Sequence, residues 1–249
     1  MTSPHALSVA LLLADARLPS GGHAHSASLE PALLGGMPTG EVPAWIVGRA
    51  TTVSLVEAGT AVVTARLLAR ADGGFGLSDE TGASAGGVRG AGGFGLADVV
   101  RAWAARTPAP ALRDAARLLG RGYLRLARTL WADSPAVQTL VAHDAGHGPL
   151  PRAVVLGAVA AATGLPAADT VRLTVYDDAQ TAASALLKLE PLDPVTPARW
   201  VLEACAAAEE HVLRVAACTT PEDIPASGSP QTEGWAQAHS LLSQRLFRA

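Results

Sequence analysis

The sequence predicts an all-α fold, a single-domain bundle of roughly eight to ten helices that spans residues 1–249. Hydrophobic residues make up 49% of the 249 residues, but aromatic residues make up only 4%. Leu and Ala are abundant, and the alternation of apolar and polar residues that marks a strand is rare. Charged residues contribute only 16%, which argues against a disordered chain.

Helix-breaking residues divide the N-terminal part into three predicted helices. The first covers residues 8–16 and ends at the Pro, Ser and Gly of 18–22. The second covers 25–34 and ends at a Gly pair. The third covers 43–70 and is apolar over most of its surface, so we expect one long helix deep in the core.

Residues 71–95 differ from the rest of the chain in composition. They are rich in Gly and Ser and repeat Gly-Gly-Phe-Gly-Leu at 73–77 and 92–96. Such a segment buries too little surface to offset its ordering entropy, so we predict a flexible loop. No Gly-Lys-Ser/Thr follows these glycines, which argues against a phosphate-binding loop.

Helical patterns resume after this segment and continue almost to the end. Pro135 and Pro166 stand where a helix begins, Gly164 where one ends. The predicted helices cover 97–106, 108–131, a segment from 135, 150–163, 166–188 and 196–217. An irregular segment at 224–233 is followed by a short helix and tail at 234–247.

Five arginines follow one face of the predicted helix 108–131, at positions 113, 117, 121, 125 and 128. Such a stripe is typical of a solvated helix face, and it is also compatible with a partner-binding surface. The residues themselves do not decide between these two interpretations.

Charge and cysteine content exclude several classes of protein. The net charge of −3 includes no basic excess, so nucleic acid is not an expected partner. Cys205 and Cys218 are too few for a disulfide framework and indicate two thiols in a reducing compartment. No Lys or Arg precedes Arg17, whereas a signal peptide requires a basic flank, and no uninterrupted apolar stretch is long enough for a membrane span. We therefore expect a cytoplasmic protein with no membrane association.

Two histidine pairs are candidate metal sites. His143-Asp144-Ala-Gly-His147 imitates a zinc-hydrolase motif, but the nearby glycines and Pro149 are expected to break the helix that the motif needs. His23 and His25 have no third His or Cys nearby and are expected to be structural. A metal-dependent hydrolase and a direct nickel carrier are the corresponding alternatives.

The adjacent acids Asp177-Asp178 and Glu209-Glu210 are expected to be solvated, because neighbours on a helix point to different faces. No nucleophile motif is present. Composition and motifs therefore indicate a helical scaffold more than an enzyme.

The segment 11–30 closely resembles the N-terminal signature of the urease accessory protein UreF family. The matching positions are Asp15, Pro19, Gly21, Gly22, His25, Ser26, Leu29 and Glu30. His23 departs from the family's aromatic residue, and Ser28 departs from its glycine.

Three further segments resemble the family in the same order. They are residues 152–166, residues 186–192 and the C-terminus, where His239, Arg245, Leu246 and Phe247 match. An arginine and a tyrosine that the family has near its tail are missing from this sequence.

The resemblance implies a non-catalytic maturation factor that is all-α and homodimeric. UreF-like proteins bind the accessory protein UreD, also called UreH, and recruit the GTPase UreG for nickel insertion into apo-urease. Nickel and GTP are handled by the partners, so the resemblance implies no cofactor for this chain. A divergent adaptor paralogue with another client is the alternative.

The resemblance also implies which residues matter. The tail at about 234–249 is expected to be partly disordered alone and to fold on UreD; the alternative is that it packs on its own domain. The expected partner-binding residues are His239, Leu242, Gln244, Arg245, Leu246, Phe247 and Arg248. In the signature, Asp15, His25, Ser26 and Glu30 are expected to form a polar network, with either a structural role or a UreG-facing one.

Overall fold

The computed structural model describes residues 4–15, 17–19, 22–73, 93–242 and 246–247. These residues confirm the all-α prediction. The α-helices are α1 (Pro4–Leu13), α2 (Leu29–Leu34), α3 (Val42–Ala50), α4 (Val53–Gly73), α5 (Leu96–Ala105), α6 (Pro110–Leu130), α7 (Pro135–His147), α8 (Arg152–Thr163), α9 (Ala167–Leu189), α10 (Val195–Ala216) and α11 (Pro230–His239). Short 3₁₀ turns lie at Gly22–Ala24, Thr39–Glu41 and Pro221–Asp223.

Helices α4, α8 and α9 form the centre of the bundle, and α10 packs along α9. Helix α8 is the most completely buried, because its small Ala, Val and Gly residues let neighbouring helices approach closely. Gly157 shows this most clearly, since a Cβ there would lie 2.4 Å from the Ala61 carbonyl oxygen on α4.

The single long helix predicted at 43–70 is wrong, because the chain breaks between α3 and α4. The Thr51 and Thr52 hydroxyls donate to the backbone carbonyls of Val47 and Gly48, at 3.0 and 2.6 Å. Such bonds compete with the helical ladder, and the break lets α3 pack on α10 while α4 crosses the core. By length and composition residues 39–69 could span a membrane, but 67% of that apolar window is buried inside the bundle, as in the core of a soluble protein.

Helix α7 also differs from its prediction. It continues through Gly146 to His147 and ends at Gly148, whose φ is 85°. The expected break does not occur because a glycine inside a helix costs only about 1 kcal/mol. The His143 and His147 rings stack with their centroids 4.4 Å apart.

The C-terminal helix begins earlier than predicted. Residues 224–229 are irregular as expected, but α11 starts at Pro230. It packs against α2 and α6. The Trp235 ring packs so closely on Gly35 that a Cβ at this position would lie 2.3 Å from the ring. Of the segment predicted as a flexible loop at 71–95, residues 74–92 lie outside the described part of the chain.

Candidate partner-binding site

The signature segment begins with an exposed ion pair. Arg17 Nη2 lies 2.7 Å from Asp15 Oδ2, and the Arg17 guanidinium and backbone N–H both bind this carboxylate. These hydrogen bonds lower the pKa of Asp15 to about 2. The Asp15 carboxylate is thus paired with Arg17. Pro19 is exposed, and its carbonyl accepts a 3.0 Å hydrogen bond from Arg125 of α6.

The second half of the signature is buried. His25 is 4% exposed, Ser26 0% and Glu30 6%. The Ser26 hydroxyl accepts a 3.2 Å hydrogen bond from the Glu30 N–H and so supports the first turn of α2. Gly22 opens a 3₁₀ turn, the side chain of His23 lies outside the described part, and so does Gly21.

The backbone between Ser26 and α2 is left-handed. Ala27 has a φ of 50° and Ser28 a φ of 69°. This region favours glycine, because a Cβ crowds the neighbouring carbonyl. The departure noted at Ser28, where the UreF signature has glycine, therefore falls on a strained position.

Glu30 connects the signature to the C-terminal tail. Its Oε1 accepts a hydrogen bond from the Leu246 N–H at 2.7 Å, and its Oε2 accepts one from the Phe247 N–H at 2.8 Å. His239 at the end of α11 is buried, with Nε2 3.1 Å from Glu30 Oε2. The structure thus brings three predicted site residues together around one carboxylate.

The tail side chains divide into a buried anchor and exposed leucines. Phe247 is 3% exposed, and the Lys188 ammonium lies 5.2 Å from its ring centroid. Leu241, Leu242 and Leu246 are 82%, 46% and 62% exposed. Phe247 packs on its own domain, because the Glu30 carboxylate holds its backbone and the domain buries its ring. Partial disorder of the free tail stays a prediction. Gln244, Arg245 and Arg248 lie outside the described part.

A cavity of about 330 Å³ lies beside the signature. Asp15, His25 and Ser28 line one wall, and apolar residues of α6 such as Leu119 line another. Its charged lining includes Arg49, Glu57, Arg152, Asp177 and Asp178, which we call the ionic cluster.

The ionic cluster joins α3, α4, α8 and α9. Arg49 binds Asp178 through two hydrogen bonds, at 2.7 and 3.1 Å, and the Ser54 hydroxyl donates to the same carboxylate at 2.8 Å. Arg152 pairs with Asp177, and its Nη2 lies 4.0 Å from Glu57 Oε2. Each of these two adjacent carboxylates pairs with a different arginine. The predicted solvation of Asp177 and Asp178 is therefore wrong.

The pKa values of the Glu57, Asp177 and Asp178 carboxyls shift in different directions. Desolvation raises the pKa of Glu57 and of Asp177, although Arg152 opposes this change. Desolvation also opposes ionisation of Asp178, but Arg49, together with Arg152 and the Ser54 hydroxyl, outweighs it and lowers the pKa. Asp178 is therefore the carboxyl whose charge the protein favours.

Sequence reasoning missed the ionic cluster, although a signal was present. Arg152 begins a helix otherwise made of Ala, Val, Leu, Gly and Thr, and Arg49 lies in the last turn of another apolar helix. An arginine in such a context needs a buried acid. By contrast Glu209 is exposed and pairs with Arg172, in line with its expected solvation. Among the described residues, no group of three or more His, Cys, Asp or Glu could hold a metal ion.

Comparison with known proteins identifies the family. The UreF family model matches residues 40–205. The chain belongs to the UreF family. It is 32% identical over 243 residues to the urease accessory protein UreF of Mycobacterium sp. (strain JLS), covering 97% of this chain and 98% of that protein. It is 36% identical over 191 residues to UreF of Mycobacterium tuberculosis (strain ATCC 25177 / H37Ra), covering 76% and 75%.

The family match and the candidate site overlap only in part. Residues 40–205 contain the ionic cluster and most of the helical core, while the UreF signature and the tail lie outside them. The relatives are named accessory proteins, which agrees with a role other than catalysis.

Proposed function

We propose that this UreF-family protein is a non-catalytic, homodimeric adaptor of urease maturation in the cytoplasm. It binds UreD/UreH through its C-terminal tail and recruits the GTPase UreG, so that the assembly inserts nickel into apo-urease. The partners handle nickel and GTP, and this chain needs no cofactor, membrane or nucleic acid. The observation that carries the proposal is the tail, with Phe247 buried and three leucines exposed next to it.

Preorganisation of the tail backbone favours partner binding. An exposed apolar side chain on a free tail must be ordered when it binds, which costs about 0.5–1.5 kcal/mol for each side chain. Here the two hydrogen bonds to Glu30 already hold the backbone of Leu246 and Phe247. Leu246 can therefore act as an anchor with Leu241 and Leu242, since binding energy concentrates in a few buried residues.

The test is co-expression of the full chain with UreD and UreG from the same source, followed by affinity capture and size exclusion. The test variant is Leu241→Ser/Leu246→Ser. The matched control is Leu202→Ser/Leu213→Ser on α10, whose leucines are 68% and 76% exposed. We expect the wild type and the control to retain both partners and the tail variant to lose UreD.

Two outcomes would contradict the proposal. If the wild-type chain elutes without either partner, it serves another client and the paralogue alternative replaces the proposed function. If the tail variant retains UreD as well as the control does, the tail is not the UreD contact. Circular dichroism of both variants excludes misfolding as the cause of a loss.

A further inference from the structure

One side of α6 carries exposed arginines close to the UreF signature. Arg121, Arg125 and Arg128 are all exposed. Their spacing of four and then three residues places them on one face, within about 10 Å along the helix. We call these three residues the arginine face. Arg125 also donates a hydrogen bond to the Pro19 carbonyl, which places the signature loop beside it.

Charge is segregated strongly onto this helix. Helix α6 contains five arginines and one aspartate, a net charge of +4. The whole chain has a net charge of −3, so the remainder carries −7. A concentrated positive charge on an acidic protein attracts acidic surfaces in a defined orientation.

Several exposed arginines elsewhere in the described part of the chain pair with a carboxylate. Arg101 pairs with Asp98, Arg172 with Glu209, and Arg199 with Glu203. Within the described ranges, no carboxylate lies within 4.0 Å of the guanidinium groups of the arginine face. The shallow groove along it is also lined by Leu124, Thr129 and the single acid Asp144.

We propose that the arginine face docks an acidic surface of a partner protein. Each guanidinium presents a planar fork of donors that fits a carboxylate in a bidentate manner. A nucleic acid fits less well, because a long polyanion would extend beyond this short face onto an acidic protein. Charges at the rim of an interface mainly raise the association rate, so docking should be sensitive to salt.

The first experiment needs no identified partner. A fluorescent oligoglutamate peptide of about ten residues is titrated by anisotropy at about 50 mM and about 500 mM NaCl. The test variant is Arg121→Glu/Arg128→Glu, which leaves Arg125 and its bond to Pro19 in place. The matched control is Arg199→Glu/Arg214→Glu, which reverses the same number of exposed charges on α10.

We expect the test variant to bind the peptide about tenfold more weakly at low salt and the control to stay within about twofold of wild type. High salt should remove the difference. Equal weakening in both variants would show that only net charge matters and would overturn the proposal. Tighter binding of an oligodeoxynucleotide of equal length, lost in the same variant, would assign the face to nucleic acid and also overturn it.

The second experiment tests whether the arginine face contacts UreD or UreG, and this step rests on the proposed function. The same variants are co-expressed with UreD and UreG at low salt. We expect the test variant to lose one partner while the α10 control keeps both. Retention of both partners would overturn a role of the face in this assembly. If the wild type itself captures neither partner, the proposed function fails, while the peptide titration still decides whether the face binds acidic chains.

Discussion

Asp178 and Glu30 are both buried carboxylates, but they are held by different kinds of partner. Asp178 receives two hydrogen bonds from the Arg49 guanidinium and one from Ser54, and these three residues lie on three core helices. Glu30 receives its hydrogen bonds from two backbone N–H groups of the tail. The first carboxylate joins helices of the bundle core, and the second holds the C-terminal tail.

This difference separates global stability from local order. Losing Asp178 would leave a buried guanidinium without its counter-charge, and such a charge destabilises the whole fold. Losing Glu30 would release backbone groups that water can solvate once the tail detaches. We therefore expect the ionic cluster to control unfolding and the Glu30 contact to control the tail, which the following changes test.

The largest effect is expected from Asp178→Ala. Removing one partner of a buried ion pair costs about 3–5 kcal/mol, because the remaining charge stays desolvated. Urea denaturation monitored by circular dichroism measures this loss. The control is Glu203→Ala in the exposed pair with Arg199, which should cost about 0–1 kcal/mol. Similar costs for the two variants would contradict the structural role of the ionic cluster.

The next effect is local and concerns Glu30→Gln. Hydrogen bonds to a charged group contribute about 1.5–3 kcal/mol, and the neutral amide keeps only one acceptor oxygen. We expect the Leu246 and Phe247 amides to exchange with deuterium at least about tenfold faster, while global unfolding changes by less than about 1 kcal/mol. Unchanged protection of these amides would show that the ring of Phe247 alone holds the tail. Glu41→Gln, at an exposed position, is the control.

Glu57→Gln in the ionic cluster is expected to gain stability relative to wild type as the pH rises, whereas the two preceding variants lose stability or protection. Because burial raises the pKa of Glu57, its contribution to stability is complete below the unfolded pKa of about 4.3 and is lost as pH rises through the folded pKa. Glu57→Gln keeps the oxygen that accepts from Trp103 Nε1 at 2.6 Å. Relative to wild type, the variant should gain stability as the pH rises from 4 to 7. Urea denaturation at both values checks this, and a pH-independent difference would contradict it.

The smallest effect is expected at Ser28, next to the Glu30 contact. Ser28→Gly relieves a left-handed conformation that costs about 1–2 kcal/mol but adds about 0.5–1 kcal/mol of unfolded-state entropy. The net stabilisation should be about 0.5–1 kcal/mol in thermal unfolding. The same change at the exposed helical position Ala198 should destabilise instead. Destabilisation at Ser28 would mean that its hydroxyl matters more than its backbone.

Much of the architecture followed from local signals. Pro135 and Pro166 stand at the start of α7 and just before α9, and Gly164, with a φ of 66°, follows the last residue of α8. The signature and tail residues were found through the family resemblance, and their partner contacts are still predictions. The break at Thr51 was missed because hydroxyl-to-carbonyl competition is weak unless packing also favours it.

The sequence by itself determined the helical class, most helix ends and membership of the UreF family, because these depend on residues close together in the chain. Only the tertiary structure decided which charges are buried and what they bind. Asp178 and Arg49 are 129 residues apart, and Glu30 and Phe247 are 217 apart. Burial and ion pairing depend on which helices the core brings into contact, and no local pattern specifies that.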